Sequence, residues 1–316
     1  MEGGNQAIQH QGVLTPDSMQ LLSTSKGTTL TWLTTFGDTS GATALASRFA
    51  AQLYTNYPTL WPETIRALII HTADWTSGMF GEDKTHIKQL KPEQKLKLLQ
   101  TVGYGVPNLQ RALYSANNSL SMIAEATLRP YKWEDSRVKT DQFHLYQLPW
   151  PREVLNELFD APVCLTITLS YFIEPNPGNK RYAEARNYMS HGLRFKMIDK
   201  DESLESFAGR VSSDMQEDDY EKEGKERDWL LGDKLRNKGS IHKDMWEGVA
   251  VDLATRNIIA IHPVGGWWKN RKKLERYHES VRYSLIVTIE APNSEIDIYN
   301  AVKNQIDIAV PINIEI

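Results

Sequence analysis

Thr34-Thr-Phe-Gly-Asp-Thr-Ser-Gly-Ala-Thr-Ala-Leu-Ala-Ser-Arg-Phe-Ala-Ala is the stretch on which the reading of the N-terminal third turns. A segment without period changes, just past Gly37, into one where Ala42, Leu45, Ala46, Phe49, Ala50 and Leu53 recur at helical spacing. That spacing predicts a helix over about 41–54, and its many small residues predict one buried within a domain. Ser40 stands where the loop becomes the helix. A helix N-terminus carries free N–H groups and a partial positive charge, which favour negative charge developing on a nearby oxygen. The position therefore suits a nucleophilic hydroxyl. Read in isolation, the commoner role of a serine at such a junction is to cap the helix.

Working outward, residues 1–36 are rich in Gly, Thr, Ser and Gln and read as loop with one or two short strands, for example at Thr29-Leu-Thr-Trp-Leu-Thr. Downstream, Trp61-Pro-Glu-Thr-Ile-Arg-Ala-Leu-Ile-Ile-His opens a second helix, with Pro62 in its first turn and Glu63 at its positive end. A third, basic and amphipathic helix is predicted over Lys91 to Leu99. Gly103-Tyr-Gly-Val-Pro-Asn is a glycine-broken loop before a short helix from Leu109 to Tyr114. The first domain is expected to end near residue 125.

Three segments in order resemble the subtilisin-like serine peptidases. Gly37-Asp-Thr-Ser-Gly-Ala-Thr-Ala resembles the family's Gly-Thr-Ser nucleophile segment, with Asp38 as one inserted residue and Thr43 or Ala44 where proline is usual. Tyr57-Pro-Thr-Leu-Trp-Pro-Glu-Thr-Ile-Arg-Ala-Leu-Ile-Ile-His-Thr-Ala resembles the family's next helix. Gly103-Tyr-Gly-Val-Pro-Asn-Leu-Gln-Arg-Ala resembles the segment where the domain's last helix begins. The resemblance implies an α/β fold over residues 1–125: the C-terminal part of a peptidase domain with a parallel sheet and helices. It implies Ser40 as the catalytic nucleophile, a polypeptide as substrate and peptide-bond hydrolysis without a cofactor.

In this family the triad runs Asp, His, Ser along the chain. The Asp motif, the His-Gly-Thr motif and the oxyanion-hole Asn belong well before the Ser and have no counterpart here. Among local residues, His10 lacks the helix-opening context, His71 reads as a packed histidine, and Asp38 reads as a loop or capping carboxylate. The chain is therefore expected to be a truncated or split portion, whose partner is the missing N-terminal catalytic portion or another protein. The alternative is a non-catalytic interaction protein, derived from a peptidase and binding a partner through its β-rich half.

From about 126 the pattern changes. Cys164-Leu-Thr-Ile-Thr-Leu-Ser-Tyr-Phe-Ile, Gly192-Leu-Arg-Phe-Lys-Met, Val281-Arg-Tyr-Ser-Leu-Ile-Val-Thr-Ile and the tail from Gln305 alternate like half-buried strands. Gly248-Val-Ala-Val-Asp-Leu and Ile258-Ile-Ala-Ile-His-Pro-Val add two more. Short strands between turn signals predict a β-sandwich-like accessory domain over 126–316. Residues 213–236 are charged and poor in apolar groups, and read as a solvated helix or insertion. Gly265-Gly-Trp-Trp-Lys-Asn-Arg-Lys-Lys reads as packed tryptophans beside a solvated charged turn, in preference to a nucleic-acid or peptide site.

Composition narrows the classes further. The chain has 316 residues, 41% hydrophobic and 24% charged, with formal net charge −4, so neither nucleic acid nor an anionic membrane is an expected partner. Cys164 is the single cysteine, which excludes an internal disulfide. No His-x-x-x-His or similar spacing predicts a metal site. Met1-Glu-Gly-Gly-Asn has no signal-peptide character, and the expected location is cytoplasmic.

Overall fold

The computed structural model describes residues 7–9, 12–14, 20–26, 32–80, 86–113, 119–148, 152–178, 188–217, 229–291 and 312–315. The chain falls into two units, one of residues 1–60 and 72–113, the other of 61–71 and 114–316.

In the first unit, strands β1 (Ala7–Gln9) and β2 (Gly12–Leu14) pair antiparallel, as do β3 (Leu21–Thr24) and β4 (Leu33–Phe36). Helix α1 (Asp38–Asn56) follows β4 directly. Helix α2 (Pro62–His71) belongs to the second unit, and α3 (Pro92–Val102) and α4 (Leu109–Leu113) return to the first. Pro92 opens α3 at a position whose N–H has no helical partner, and Gln94 accepts from the Lys91 N–H at 3.0 Å. Phe49, Leu53, Ile87, Leu90, Leu98 and Ala112 are its main buried apolar side chains.

Two expectations need correction. The parallel sheet is not found: every strand pair among the described residues is antiparallel. And α1 is not buried all round, since only Gly41, Phe49 and Leu53 are. The physical reason is the same for both. Among the described residues the β3–β4 ribbon pairs with no further strand, and small residues of α1 such as Ala44, Ser47 and Ala51 are exposed. Leu22 and Leu33 on one face and Phe36 on the other are left 69%, 54% and 37% exposed, an apolar surface that a sheet covered on both faces would bury.

The loop after α3 is fixed by Asp74 and Val106, which exchange backbone hydrogen bonds at 3.0 and 2.9 Å. Gly105 makes that approach possible. Its φ is +91°, and a Cβ there would lie 2.2 Å from the Asp74 carbonyl oxygen. Gly105→Ala is expected to destabilise the first unit by more than about 1 kcal/mol, measured by urea unfolding.

The second unit is built on two four-stranded antiparallel sheets. Its elements run β5 (Ser119–Leu128), β6 (Tyr131–Glu134), β7 (Arg137–Thr140), β8 (Gln142–Gln147), α5 (Arg152–Glu157), β9 (Pro162–Tyr171) and β10 (Gly192–Met197). There follow α6 (Leu204–Glu217), α7 (Asp233–Arg236), β11 (Ile241–Val249), α8 (Ala250–Thr255), β12 (Ile258–Val264), α9 (Trp267–Asn270), β13 (Val281–Glu290) and β14 (Ile312–Glu315). One sheet has the order β11-β9-β13-β5, the other β10-β12-β8-β14. Strand β5 runs through position 125, so the change of unit lies earlier than the sequence pattern suggests.

Period-2 alternation sorts the side chains. Leu165, Ile167 and Leu169 of β9 and Leu285, Val287 and Ile289 of β13 enter one core with Leu193, Phe195, Ile259 and Ile261 of the other sheet. The opposite face of β9 and β13 carries hydroxyls, and α2 covers it. His71 bonds Thr168 Oγ1 at 2.9 Å and Thr288 Oγ1 at 2.7 Å. Arg66 donates to Ser170 Oγ at 3.0 Å and to the Tyr171 carbonyl at 2.6 Å. Glu125 accepts from the Trp61 N–H at 2.6 Å and from the Thr64 hydroxyl. Buried hydroxyls need such partners, and this polar match explains why α2 docks here. On the other sheet, Phe207, Val211 and Met215 of α6 pack on Phe143, Leu145 and Ala260.

Two further expectations give way, and the packing of the tryptophans holds. Val249 ends β11, and the predicted strand over 248–253 turns into helix α8. Residues 218–228, inside the charged stretch, lie outside the described residues. Of the remainder, Met215, Leu230 and Arg236 are buried rather than solvated. Trp267 and Trp268 are buried in the second unit's core.

Four buried histidines set a pH dependence. Burial lowers His144 to about 4, His191 and His242 to about 3, and His262 well below its ordinary value. The unfolded chain takes up these protons near pH 6.5, whereas the folded chain stays neutral there, so stability is full above that pH and falls below it. Each group adds up to about 1.4 kcal/mol per pH unit to the fall. The expected result is a melting temperature level above pH 7 that drops steeply between about pH 6.5 and 4.

Candidate functional site

The nucleophile segment grows out of β4. Gly37, extended at φ −144° and ψ −151°, is the N-cap of α1, and no side chain caps the helix. Ser40 is the third helical residue, within the first turn whose backbone N–H groups lack helical acceptors. Its side chain is exposed, like those of Asp38 and Thr39. Among the described residues its hydroxyl has no hydrogen-bond partner. Thr43, one turn on, spends its hydroxyl on the Thr39 carbonyl at 2.8 Å. The capping role open to a serine at this junction is thus not the one Ser40 takes.

Asp38 adopts φ +61°, the left-handed region that Asp tolerates better than most residues. The residue that is extra relative to the Gly-Thr-Ser pattern thereby turns the chain into the helix without displacing Thr39 and Ser40 from the first turn. Asp38 is the first helical residue and the acidic group of the first turn.

A serine in a helix's first turn can attack a carbonyl if a base takes its proton and N–H groups receive the oxyanion. The first-turn amides of α1 offer the second element. The first is not found among the described residues: His10 lies outside them, and both ring nitrogens of His71 are taken by Thr168 and Thr288 in the second unit. His86 accepts from the Lys88 N–H at 3.3 Å. Cys164 is no alternative nucleophile, because burial and the nearby Glu247 and Glu290 push its thiol up to about 11. No group of three or more His, Cys, Asp and Glu among the described residues could hold a metal ion. No helix among them is long and apolar enough to cross a membrane.

Residues 1–105 match the model of the subtilase family, peptidase S8. That match places the segment carrying Ser40 among the subtilisin-like serine peptidases. No curated protein matches the chain. The matched segment contains α2, although α2 packs with the second unit. Sequence reading missed the polar face of β9 and β13 that holds this helix; the regular Thr-x-Thr-x-Ser of 166–170 was the available signal.

Proposed function

We propose that the chain supplies the nucleophile, Ser40, of a subtilisin-like endopeptidase whose Asp and His come from polypeptide outside the described residues. The observation that carries this reading is the Ser40 hydroxyl: exposed in the first turn of α1 and without a hydrogen-bond partner among the described residues. In the complete site the base takes the proton from Ser40 as Oγ bonds to the scissile carbonyl carbon. The C–N bond then breaks, the proton passes to the leaving amine, and water later hydrolyses the acyl-enzyme by the same route in reverse order. The two-stranded β3–β4 ribbon and its exposed Leu22, Leu33 and Phe36 support a further strand-bearing segment, the missing N-terminal catalytic portion, packing there.

The test is to combine the chain with a polypeptide carrying a subtilisin-type Asp motif and His-Gly-Thr motif, and to assay peptide hydrolysis. Activity that requires both components is expected. Activity from the chain alone, retained after Ser40→Ala, would contradict the reading. The lack of a base near Ser40 among the described residues favours a second reading, a non-catalytic protein that binds a partner through the β-rich unit. A cellular phenotype unchanged by Ser40→Ala separates that case.

A further inference from the structure

Within the second unit a cleft of about 360 Å³ lies between the start of α2, the end of β9 and the start of β13, a volume in the range of small-ligand sites. Phe172, 47% exposed, and the buried Trp268 contribute its aromatic surface. Two of its polar side chains are almost wholly buried and incompletely paired. Glu63, 3% exposed, places Oε1 within 3.1 Å of the Arg282 guanidinium but leaves Oε2 without a partner. His191, 1% exposed, leaves Nε2 without one.

The protonation of His191 follows from its neighbour. Ser190 Oγ accepts from the Glu174 N–H at 2.9 Å and lies 2.9 Å from His191 Nδ1. Among the described residues the Ser190 hydroxyl has no acceptor other than Nδ1, so its proton is assigned there and the ring proton to Nε2. Burial keeps the ring neutral, with its pKa lowered to about 3. The cleft thus holds one unmatched donor, His191 Nε2–H, and one unmatched acceptor, Glu63 Oε2. Its formal charges cancel in pairs, Glu63 with Arg282 and Glu174 with Arg276 at 2.7 Å.

We infer that this cleft binds a neutral primary carboxamide, whose N–H groups meet Glu63 Oε2 and whose oxygen meets His191 Nε2–H. A carboxylate would set its charge against Glu63, and an ammonium would offer His191 no acceptor; each leaves a buried group unpaired. The Asn or Gln side chain of a peptide and a free amide carry the same chemistry. The inference is independent of Ser40.

The test uses the full chain and follows the Trp268 indole N–H resonance during titration. The probes are N-acetyl-glutamine N-methylamide, its glutamate and lysine counterparts, and propionamide. The glutamine probe is expected to shift the resonance saturably with Kd at or below about 10 mM, with the charged probes at least about tenfold weaker. Propionamide binding as tightly as the glutamine probe assigns the site to free amides; weaker binding assigns it to peptide-borne ones. Equal response to all side chains, or no saturable shift, means the cleft holds water only and overturns the inference. Ser190→Ala frees the His191 tautomer and is expected to weaken the glutamine probe at least about fivefold, with melting lowered as the Glu174 N–H and His191 Nδ1 lose their partner. Unchanged affinity in that variant contradicts the assigned donor, and if the variant fails to fold, the probe series on the wild-type chain still decides.

Discussion

Arg236→Met is expected to lower the unfolding free energy of the second unit by about 3–5 kcal/mol, the largest single-site effect on stability anticipated in this protein. Both Arg236 and Asp244 are buried, 3.3 Å apart at their nearest atoms, and Arg236 also pairs with Asp233. The guanidinium lies over the Phe195 ring at 4.3 Å and the Trp229 ring at 5.1 Å, so its plane is packed as well as paired. Burial pushes the Asp244 carboxyl up, against the opposing pull of Arg236 and of three backbone N–H donors, Leu231, Gly232 and Met245, at 2.8–2.9 Å. Methionine fills the volume but leaves a buried carboxylate without its cation. That uncompensated charge, rather than lost attraction, dominates the cost. The midpoint of thermal unfolding should fall by about 10 °C or more. Adding Asp244→Asn removes the charge while keeping an acceptor for the amides, and should restore part of the loss in a double-mutant cycle.

Ser40→Ala should act in the opposite way, on activity and not on stability. In the reconstituted peptidase it is expected to lower kcat by roughly 10³-fold or more, with KM little changed, because only the covalent step is lost. Because Ser40 is exposed and does not cap α1, unfolding free energy should change by less than about 0.5 kcal/mol. A capping serine would give the reverse pattern: a loss of about 1 kcal/mol and no effect on turnover. Steady-state kinetics and urea unfolding on one variant therefore separate the two roles.

The sequence made the local elements legible and misjudged what covers them. Helices α1 to α4 and strands β9, β10, β12 and β13 lie where apolar spacing puts them, since each has a clean period. The hydroxyl face of β9 looked like a solvent face, because Thr and Ser alternate with Leu and Ile there. It is instead sealed by α2, whose His71 and Arg66 satisfy those hydroxyls. A polar side chain's partner lies elsewhere in the chain, so period alone cannot distinguish a wet face from a hydrogen-bonded one. Arg236 illustrates the same limit within a charged run: its burial depends on Asp244 across a turn. At the candidate site, Ser40 was legible from motif order. Whether it caps the helix was not, since the answer lies in the backbone of Gly37 and Asp38.

The most direct measurement on the central claim is mass-spectrometric mapping of a fluorophosphonate adduct, since such reagents phosphonylate only an activated serine. In the presence of polypeptide bearing the Asp and His motifs, the account predicts about one phosphonyl group per chain, located on the peptide containing Ser40, and none on the chain alone. Hydrolytic activity with the adduct on another residue, or with Ser40 unmodified, would contradict it.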